Sequence, residues 1–97
     1  MDAAVLKEIE SMGANAQRKA FDKRVRFVIK EDDSYVIDHE GGRLGSDEAN
    51  VTITTDKKTF LGISDGSVNP ALAYATGKVR VDGEVQLAMQ LERYFSD

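Results

Sequence analysis

Apolar residues near the start of the chain recur at helical spacing. Between residues 3 and 20 they fall on one face, which is made of Val5, Ile9, Met12, Ala16 and Ala20. This pattern predicts one helix, or two short helices interrupted at Gly13. We expect this segment to cover a sheet.

The period changes to two at residue 24. Val25, Phe27 and Ile29 alternate with polar side chains, which predicts a half-buried strand. Residues 32–34 have the composition of a hairpin turn, and a second strand is predicted over 35–39.

The sheet continues less clearly after residue 40. Gly41 and Gly42 predict another turn, and residues 43–45 a short strand with little apolar material. Residues 51–54 predict a strand that completes an antiparallel meander.

The last 30 residues combine helix signals with one more strand. Asn69 and Pro70 predict a helix start, because proline suits the first helical position, and Gly77 predicts its end. Residues 79–83 predict a strand followed by a turn, and residues 84–96 a closing helix. Its apolar stripe comprises Leu87, Ala88, Leu91, Tyr94 and Phe95, and is widened by Val85 and Met89. The predicted fold class is therefore α+β, with a single, mostly antiparallel sheet of four to five strands covered by helices.

Composition agrees with one compact domain over residues 1–97. The chain is 41% hydrophobic and 31% charged, and its apolar runs are far shorter than the ~20 residues of a spanning helix. Cysteine is absent, and Asp2 and Glu8 stand where a secretory leader would be basic and apolar. We therefore expect a cytoplasmic protein.

Catalytic patterns are scarce. His39 is the single histidine and lies beside two carboxylates, so a solvated side chain is a better interpretation than a metal ligand or a general base. Gly77-Lys78 does not make a phosphate loop, because Leu72 and Val79 stand where that motif needs glycine and serine or threonine. We predict no enzyme activity, no metal and no cofactor.

A series of short motifs follows in order along the chain. They are Val51-Thr52-Ile53-Thr54, Phe60-Leu61-Gly62, Asn69-Pro70-Ala71, Ala75-Thr76-Gly77-Lys78-Val79 and Gly83-Glu84-Val85 leading into Leu87-Ala88-Met89. The series closely resembles the sterol carrier protein 2 family of small non-specific lipid-transfer domains, over roughly residues 24–95. The resemblance implies a five-stranded sheet covered by helices, and a tunnel for fatty acids, fatty acyl-CoA or sterol-like ligands under the C-terminal helix.

Apolar residues of the helices are the candidate ligand contacts under this resemblance. The predicted ligand-binding residues are Phe60, Leu61, Leu72, Tyr74, Val85, Ala88, Met89, Leu91 and Phe95. Without the resemblance, the sequence alone predicts that these residues fill an ordinary core. Two alternatives stay open: an interaction or homodimerisation module that uses the last helix, and an accessory binding domain of a separate enzyme.

A basic stretch interrupts an acidic chain of net charge −4. It consists of Arg18, Lys19, Lys23, Arg24 and Arg26, with Asp22 as the single acid among them. The stretch is typical either of a solvated outer face or of transient contact with anionic membranes. Nucleic acid is not an expected partner, because the pI is about 4.9.

Overall fold

The computed structural model describes residues 1–96 and begins with one long helix, α1 (Ala3–Arg18). The Asp2 side chain caps α1 by accepting hydrogen bonds from the N–H groups of Ala4 and Val5. The helix passes through Gly13 without a break, so the alternative of two short helices is wrong. Ala20 lies beyond the helix, is exposed and has a positive φ, and so is not part of its buried face.

Five strands form one mixed sheet in the order β3-β2-β1-β4-β5. Their bounds are β1 Val25–Ile29, β2 Ser34–Asp38, β3 Gly41–Leu44, β4 Val51–Thr55 and β5 Val79–Gly83. The predicted fold class is confirmed, since every pairing is antiparallel except that of β1 with β4.

The predicted meander is wrong at its last step. Strand β4 does not follow β3 in the sheet but crosses to β1 and pairs with it in parallel. Asn50 fixes this junction: its side chain accepts a hydrogen bond from the Arg24 N–H at 2.9 Å, and its own N–H donates to the Arg24 carbonyl at 2.9 Å. This register places Ile53 beside Phe27 on the face that the helices cover.

Gly41 and Gly42 lie inside β3 rather than in a turn, which corrects another expectation. The turn is formed by the two residues before them. Their missing side chains matter for packing, because a Cβ on Gly42 would overlap the Ile9 carbonyl of α1.

The described residues contain three further helices: α2 (Lys57–Asp65), α3 (Pro70–Ala75) and α4 (Val85–Phe95). Asn69 caps α3 and Gly77 follows it with a φ of +80°, as the sequence predicts. Helices α1 and α4 pack together against one face of the sheet. The core between them consists of Val5, Ile9, Ala16, Phe21, Val25, Phe27, Ile29, Tyr35, Ile37, Val51, Phe60, Leu87, Leu91 and Phe95.

Candidate functional site

Helix α4 buries one narrow stripe against the sheet. Leu87, Leu91 and Phe95 are buried, and their spacing of four residues places them on one side of the helix. The Phe95 ring lies 5.6 Å from the Phe21 ring and 6.2 Å from the Phe27 ring, measured between centroids. The C-terminal half of α4 is therefore part of the aromatic core.

Polar side chains of α1 hold the C-terminal end of α4. The buried amide of Asn15 donates to the Phe95 carbonyl at 2.9 Å. The Lys19 ammonium donates to the carbonyls of Arg93 at 2.7 Å and Ser96 at 2.5 Å. These bonds satisfy carbonyls that a helix end leaves without intrahelical partners, and the cation also suits the negative end of the helix dipole.

The N-terminal end of α4 is held less firmly. Glu84 occupies the capping position, but its side chain makes no capping hydrogen bond. The two residues that widen the apolar stripe of α4 lie towards this end, and both are exposed: Val85 is 45% exposed and Met89 is 81% exposed. A helix whose only task was to cover the sheet would not need these two side chains.

Helix α3 also presents apolar side chains to solvent. Leu72 is 63% exposed and Tyr74 is 53% exposed, while Ala73 is the buried residue of this helix. Both α3 and α4 pack against β5, the strand at one edge of the sheet. Four large exposed apolar side chains are thus carried by two helices that flank the same strand.

The predicted ligand-binding residues divide into three groups by exposure. Phe60, Leu91 and Phe95 are buried in the core, where the Phe60 ring lies 5.5 Å from the Phe27 ring. Leu61 and Ala88 are half-buried against the core. The exposed group, which we call the outer apolar set, consists of Leu72, Tyr74, Val85 and Met89.

One open depression lies at the N-terminal end of α4. It has a volume of about 410 Å³ and is lined by Lys23, Glu84, Val85, Gln86, Leu87 and Gln90. Val85 is the one member of the outer apolar set on its wall. The depression mixes apolar, amide and charged side chains, so it is not the apolar tunnel that the resemblance implies.

The sheet face away from the helices contains a buried carboxylate that sequence reasoning did not single out. Asp38 is 2% exposed and accepts hydrogen bonds from Arg24 Nε at 2.9 Å and from both terminal nitrogens of Arg43 at 2.9 and 3.0 Å. The Arg43 guanidinium, with a smaller contribution from Arg24, holds the pKa of Asp38 well below its usual range. The alternation of β2 places Asp38 on the outward face. This alternation is the feature of the sequence from which the position of Asp38 could have been predicted.

The basic stretch is dispersed rather than gathered on one surface. Arg18 donates to the Asn15 side chain, Arg24 binds Asp38, and Arg26 donates to the Ser46 carbonyl at 3.3 Å. Lys19 is engaged at the end of α4, and Lys23 lies on the wall of the 410 Å³ depression. Most of these cations therefore have structural partners.

Residues 1–96 contain neither a cluster of metal ligands nor a membrane-spanning helix. Among them, no group of three or more histidine, aspartate or glutamate side chains is arranged to hold a metal ion. Within the same residues, no helix combines the length and the apolar character needed to cross a bilayer.

The fold and this arrangement of helices agree with a family model that matches residues 4–96, that of the SCP-2 sterol transfer family. The chain belongs to this family. Among solved structures, the sterol carrier protein 2 of Aedes aegypti in complex with palmitate superposes with a TM-score of 0.82 at 20% identity, covering 99% of this chain and 97% of that one.

Other relatives carry the family domain within longer chains. The hydroxysteroid dehydrogenase-like protein 2 of Xenopus tropicalis is 27% identical over 95 residues, and the match covers 90% of this chain but only 23% of that protein. The stereoselective inverting sec-alkylsulfatase of Pseudomonas superposes with a TM-score of 0.63 at 18% identity, over 95% of this chain and 15% of the enzyme. The SCP-2 fold thus occurs both as a whole chain and as a part of enzymes.

Proposed function

We propose that this chain is a non-enzymatic lipid-binding and transfer domain that takes fatty acids, fatty acyl-CoA or sterol-like molecules. The observation that carries the proposal is the outer apolar set, Leu72, Tyr74, Val85 and Met89, on the two helices that flank β5. Large apolar side chains exposed on two helices that pack against the same strand favour a binding site at this edge of the sheet. Family membership and the palmitate complex of the Aedes aegypti protein support a lipid as the ligand.

The ligand is held by apolar contact rather than by a specific polar group. Each acyl methylene removed from water contributes about 0.8 kcal/mol before ordering costs. The core beneath α4 offers aromatic rings and aliphatic side chains, and the long thioether of Met89 adapts to chains of different shape. We therefore expect broad specificity among long-chain lipids.

Lipid entry takes place at the N-terminal end of α4. A rigid, unfilled tunnel of ~300 Å³ would cost about 7 kcal/mol, which rivals the ~5–15 kcal/mol that stabilises a whole domain. In this structure the Phe95 ring packs instead against the rings of Phe21 and Phe27. The tunnel opens when the weakly capped start of α4 moves outward, while Asn15 and Lys19 hold its other end.

A specific variant pair tests the outer apolar set. Met89→Asp and Leu72→Asp place a charge where the acyl chain binds, and both sites are exposed enough for the fold to survive. Leu44→Asp is the matched control, because Leu44 is 46% exposed on β3, at the opposite edge of the sheet. After extraction of lipid with organic solvent, displacement of a fluorescent fatty acid measures affinity for palmitate and palmitoyl-CoA.

We expect the two test variants to bind at least tenfold more weakly than the wild type, and the Leu44 variant to bind normally. Palmitate at 100 times its Kd adds about 2.7 kcal/mol to the unfolding free energy, so the melting temperature rises by about 10 °C or more. A melting temperature unchanged by several fatty acids and acyl-CoAs contradicts the proposal. So does an equal loss of affinity in the control variant.

Transfer between membranes is the second part of this proposal, and Lys23 is the proposed contact for anionic lipid. Lys23 lies beside the weakly capped end of α4, where we place lipid entry. A cation near an anionic surface contributes about 1 kcal/mol. Lys23→Glu should slow lipid transfer from phosphatidylserine vesicles, relative to the wild type, and leave transfer from neutral vesicles unchanged. An equal effect of the variant on both vesicle types would contradict this contact.

An accessory role beside an enzyme is the second candidate function. It is favoured by the relatives in which the matched region is 23% of a dehydrogenase-like protein and 15% of a sulfatase. In that role the domain presents an apolar substrate to a catalytic unit. Faster turnover of a long-chain substrate by a separate dehydrogenase or sulfatase when this chain is added, abolished by Met89→Asp, would support it.

A further inference from the structure

Strand β5 leaves one edge of the sheet open in the part of the chain that the structure describes. Its partner on the other side is β4, with Arg80 opposite Thr54 and Asp82 opposite Thr52. Just beyond the strand, the Glu84 N–H donates to the Asn50 carbonyl at 3.0 Å. Hydrogen-bonded pairs alternate along an antiparallel ladder, so Arg80 and Asp82 direct their backbone groups to β4.

The backbone groups of the intervening residues point the other way. The N–H and C=O groups of Val79, Val81 and Gly83 therefore face the open edge. Such an edge is a template for a further strand unless it is short, bulged or guarded by charge. The charges on β5 are Arg80 and Asp82, and they are of opposite sign.

These two charges are arranged so that the strand complements itself. Arg80 Nε lies 3.1 Å from the Asp82 carboxylate on the outward face of the sheet, and both side chains are more than half exposed. A twofold axis through Val81 would set two β5 strands antiparallel. Arg80 of each copy would then stand opposite Asp82 of the other, and Val79 opposite Gly83.

We propose that a second copy of this chain pairs with the first along β5, in antiparallel register centred on Val81. Two cross-strand ion pairs form in place of two ion pairs within single strands. The backbone groups of Val79, Val81 and Gly83 then gain partners that only water supplies in the monomer.

Apolar surface adds to this pairing. Val79 and Val81 are half-buried, and the helices packed on β5 carry the outer apolar set. A contact made by one short strand and its flanking side chains is small, so the dimer is expected to be weak and concentration-dependent.

Charge reversal tests both the edge and the register. Arg80→Glu alone and Asp82→Arg alone each place like charges across the twofold axis, so each variant should dimerise about tenfold more weakly than the wild type in sedimentation equilibrium. Mixing the two variants restores opposite charges at every cross-strand position and should yield a heterodimer. Lys58→Glu and Glu10→Arg make the same changes in net charge at exposed sites on other elements and should leave dimerisation unchanged.

Hydrogen exchange supplies a measurement that does not depend on a variant. In the monomer the outward amides of Val79 and Val81 exchange rapidly, whereas those of Arg80 and Asp82 are protected by β4. Raising the protein concentration should slow exchange at Val79, Val81 and Gly83, whose N–H groups face the open edge, and leave exchange at Arg80 and Asp82 unchanged. Val81→Pro removes an outward N–H without breaking the β4 ladder, and it should give a folded monomer.

Three results would overturn the proposal. A wild-type protein that stays monomeric at several hundred micromolar has no such contact. A dimer that persists in both charge-reversal variants uses another surface. A mixture of the two variants that stays monomeric excludes this register. Lipid binding is measured separately on delipidated protein, so its outcome does not bear on this one.

Discussion

Gly13 of α1 lies directly on Gly42 of β3, with no side chain between helix and strand. A Cβ built on Gly13 would overlap the backbone nitrogen of Gly42, and one built on Gly42 would overlap the Ile9 carbonyl. Two glycines distant in sequence thus set the distance between the first helix and the edge of the sheet.

We expect Gly13→Ala to destabilise the protein although alanine is the better helix former. The propensity gain is about 1 kcal/mol, whereas backbone overlap forces the helix off the strand at a cost of roughly 1–3 kcal/mol or more. Thermal unfolding should show a lower melting temperature. Ser11→Ala, at an exposed position of the same helix, is the control and should be neutral or slightly stabilising; a Gly13→Ala variant that melts higher than the wild type would show that the contact is not tight.

The buried Asp38 carboxylate predicts a pH-dependent stability. Asp38→Asn leaves the Arg24 and Arg43 guanidinium groups without their anion, at a cost of about 2 kcal/mol near neutral pH. This lies below the ~3–5 kcal/mol for breaking a fully buried pair, because both guanidinium groups are about one-third exposed. Urea denaturation of the two proteins measures the difference.

The sign of that dependence follows from the depressed pKa of Asp38 in the folded state. The stabilisation is fully present above the ordinary aspartate value near 3.8 and is lost as the pH falls through the lower folded-state pKa. The stability gap between wild type and Asp38→Asn should therefore close below about pH 4. The exposed Asp22→Asn is the control, and a gap constant down to pH 2 would contradict the assignment.

Tyr35 predicts the opposite, alkaline dependence. Its fully buried hydroxyl donates to Asp32 at 2.6 Å and accepts from the Asp2 N–H at 3.3 Å. Burial, and then the bond to Asp32, raises the pKa of Tyr35 to about 12. Tyr35→Phe should cost about 1–2 kcal/mol at pH 7.

Above pH 10 the unfolded wild type loses this proton while the folded protein keeps it. The stability contribution of Tyr35 therefore falls by about 1.4 kcal/mol per pH unit until the folded-state pKa is reached. The gap between wild type and Tyr35→Phe should narrow above pH 10 and close, or change sign, before pH 12. Parallel stability curves over that range would contradict the raised pKa.

The bond from Asn15 to Phe95 predicts a local rather than a general effect. Asn15→Ala leaves the Phe95 carbonyl without its buried donor and should cost about 1–3 kcal/mol. Native-state hydrogen exchange should accelerate in α4 before it does in β1. Gln17→Ala removes an exposed bond to the His39 carbonyl, and this control should cost less and leave α4 unaffected; equal acceleration in α4 and β1 would mean that Asn15 supports the whole domain.

Structural features that depend on neighbouring residues could be predicted from the sequence. Asn69, Pro70 and Gly77 delimit α3 as predicted, because capping and left-handed glycines depend on neighbours a few residues away. The hairpin of β1 and β2 is confirmed for the same reason.

Contacts between residues distant in the sequence could not be predicted. Residues 45–50 do not show whether β4 pairs with β1 or with β3. These two strands are the edges of the sheet formed by β1, β2 and β3, and either edge accepts a strand with the same alternation of apolar and polar residues. The central stripe of α4 was predicted correctly, since Leu87 is buried, whereas the shoulder residue Met89 is 81% exposed, and the width of the stripe did not show this difference in exposure. The pairing of Asp38 with two arginines likewise needed the strand register.

The hydrogen bonds from Asn15 and Lys19 to the end of α4 also bear on the order in which the protein is made. They join residues 74 to 80 positions apart, so α1 leaves the ribosome long before its polar partners exist. Until α4 has been synthesised, the Asn15 amide lacks its hydrogen-bond acceptor and the apolar face of α1 lacks part of the surface against which it packs. Helix α1 therefore gains these contacts only once the eleven residues of α4 have been synthesised, and this domain folds as one unit after that point.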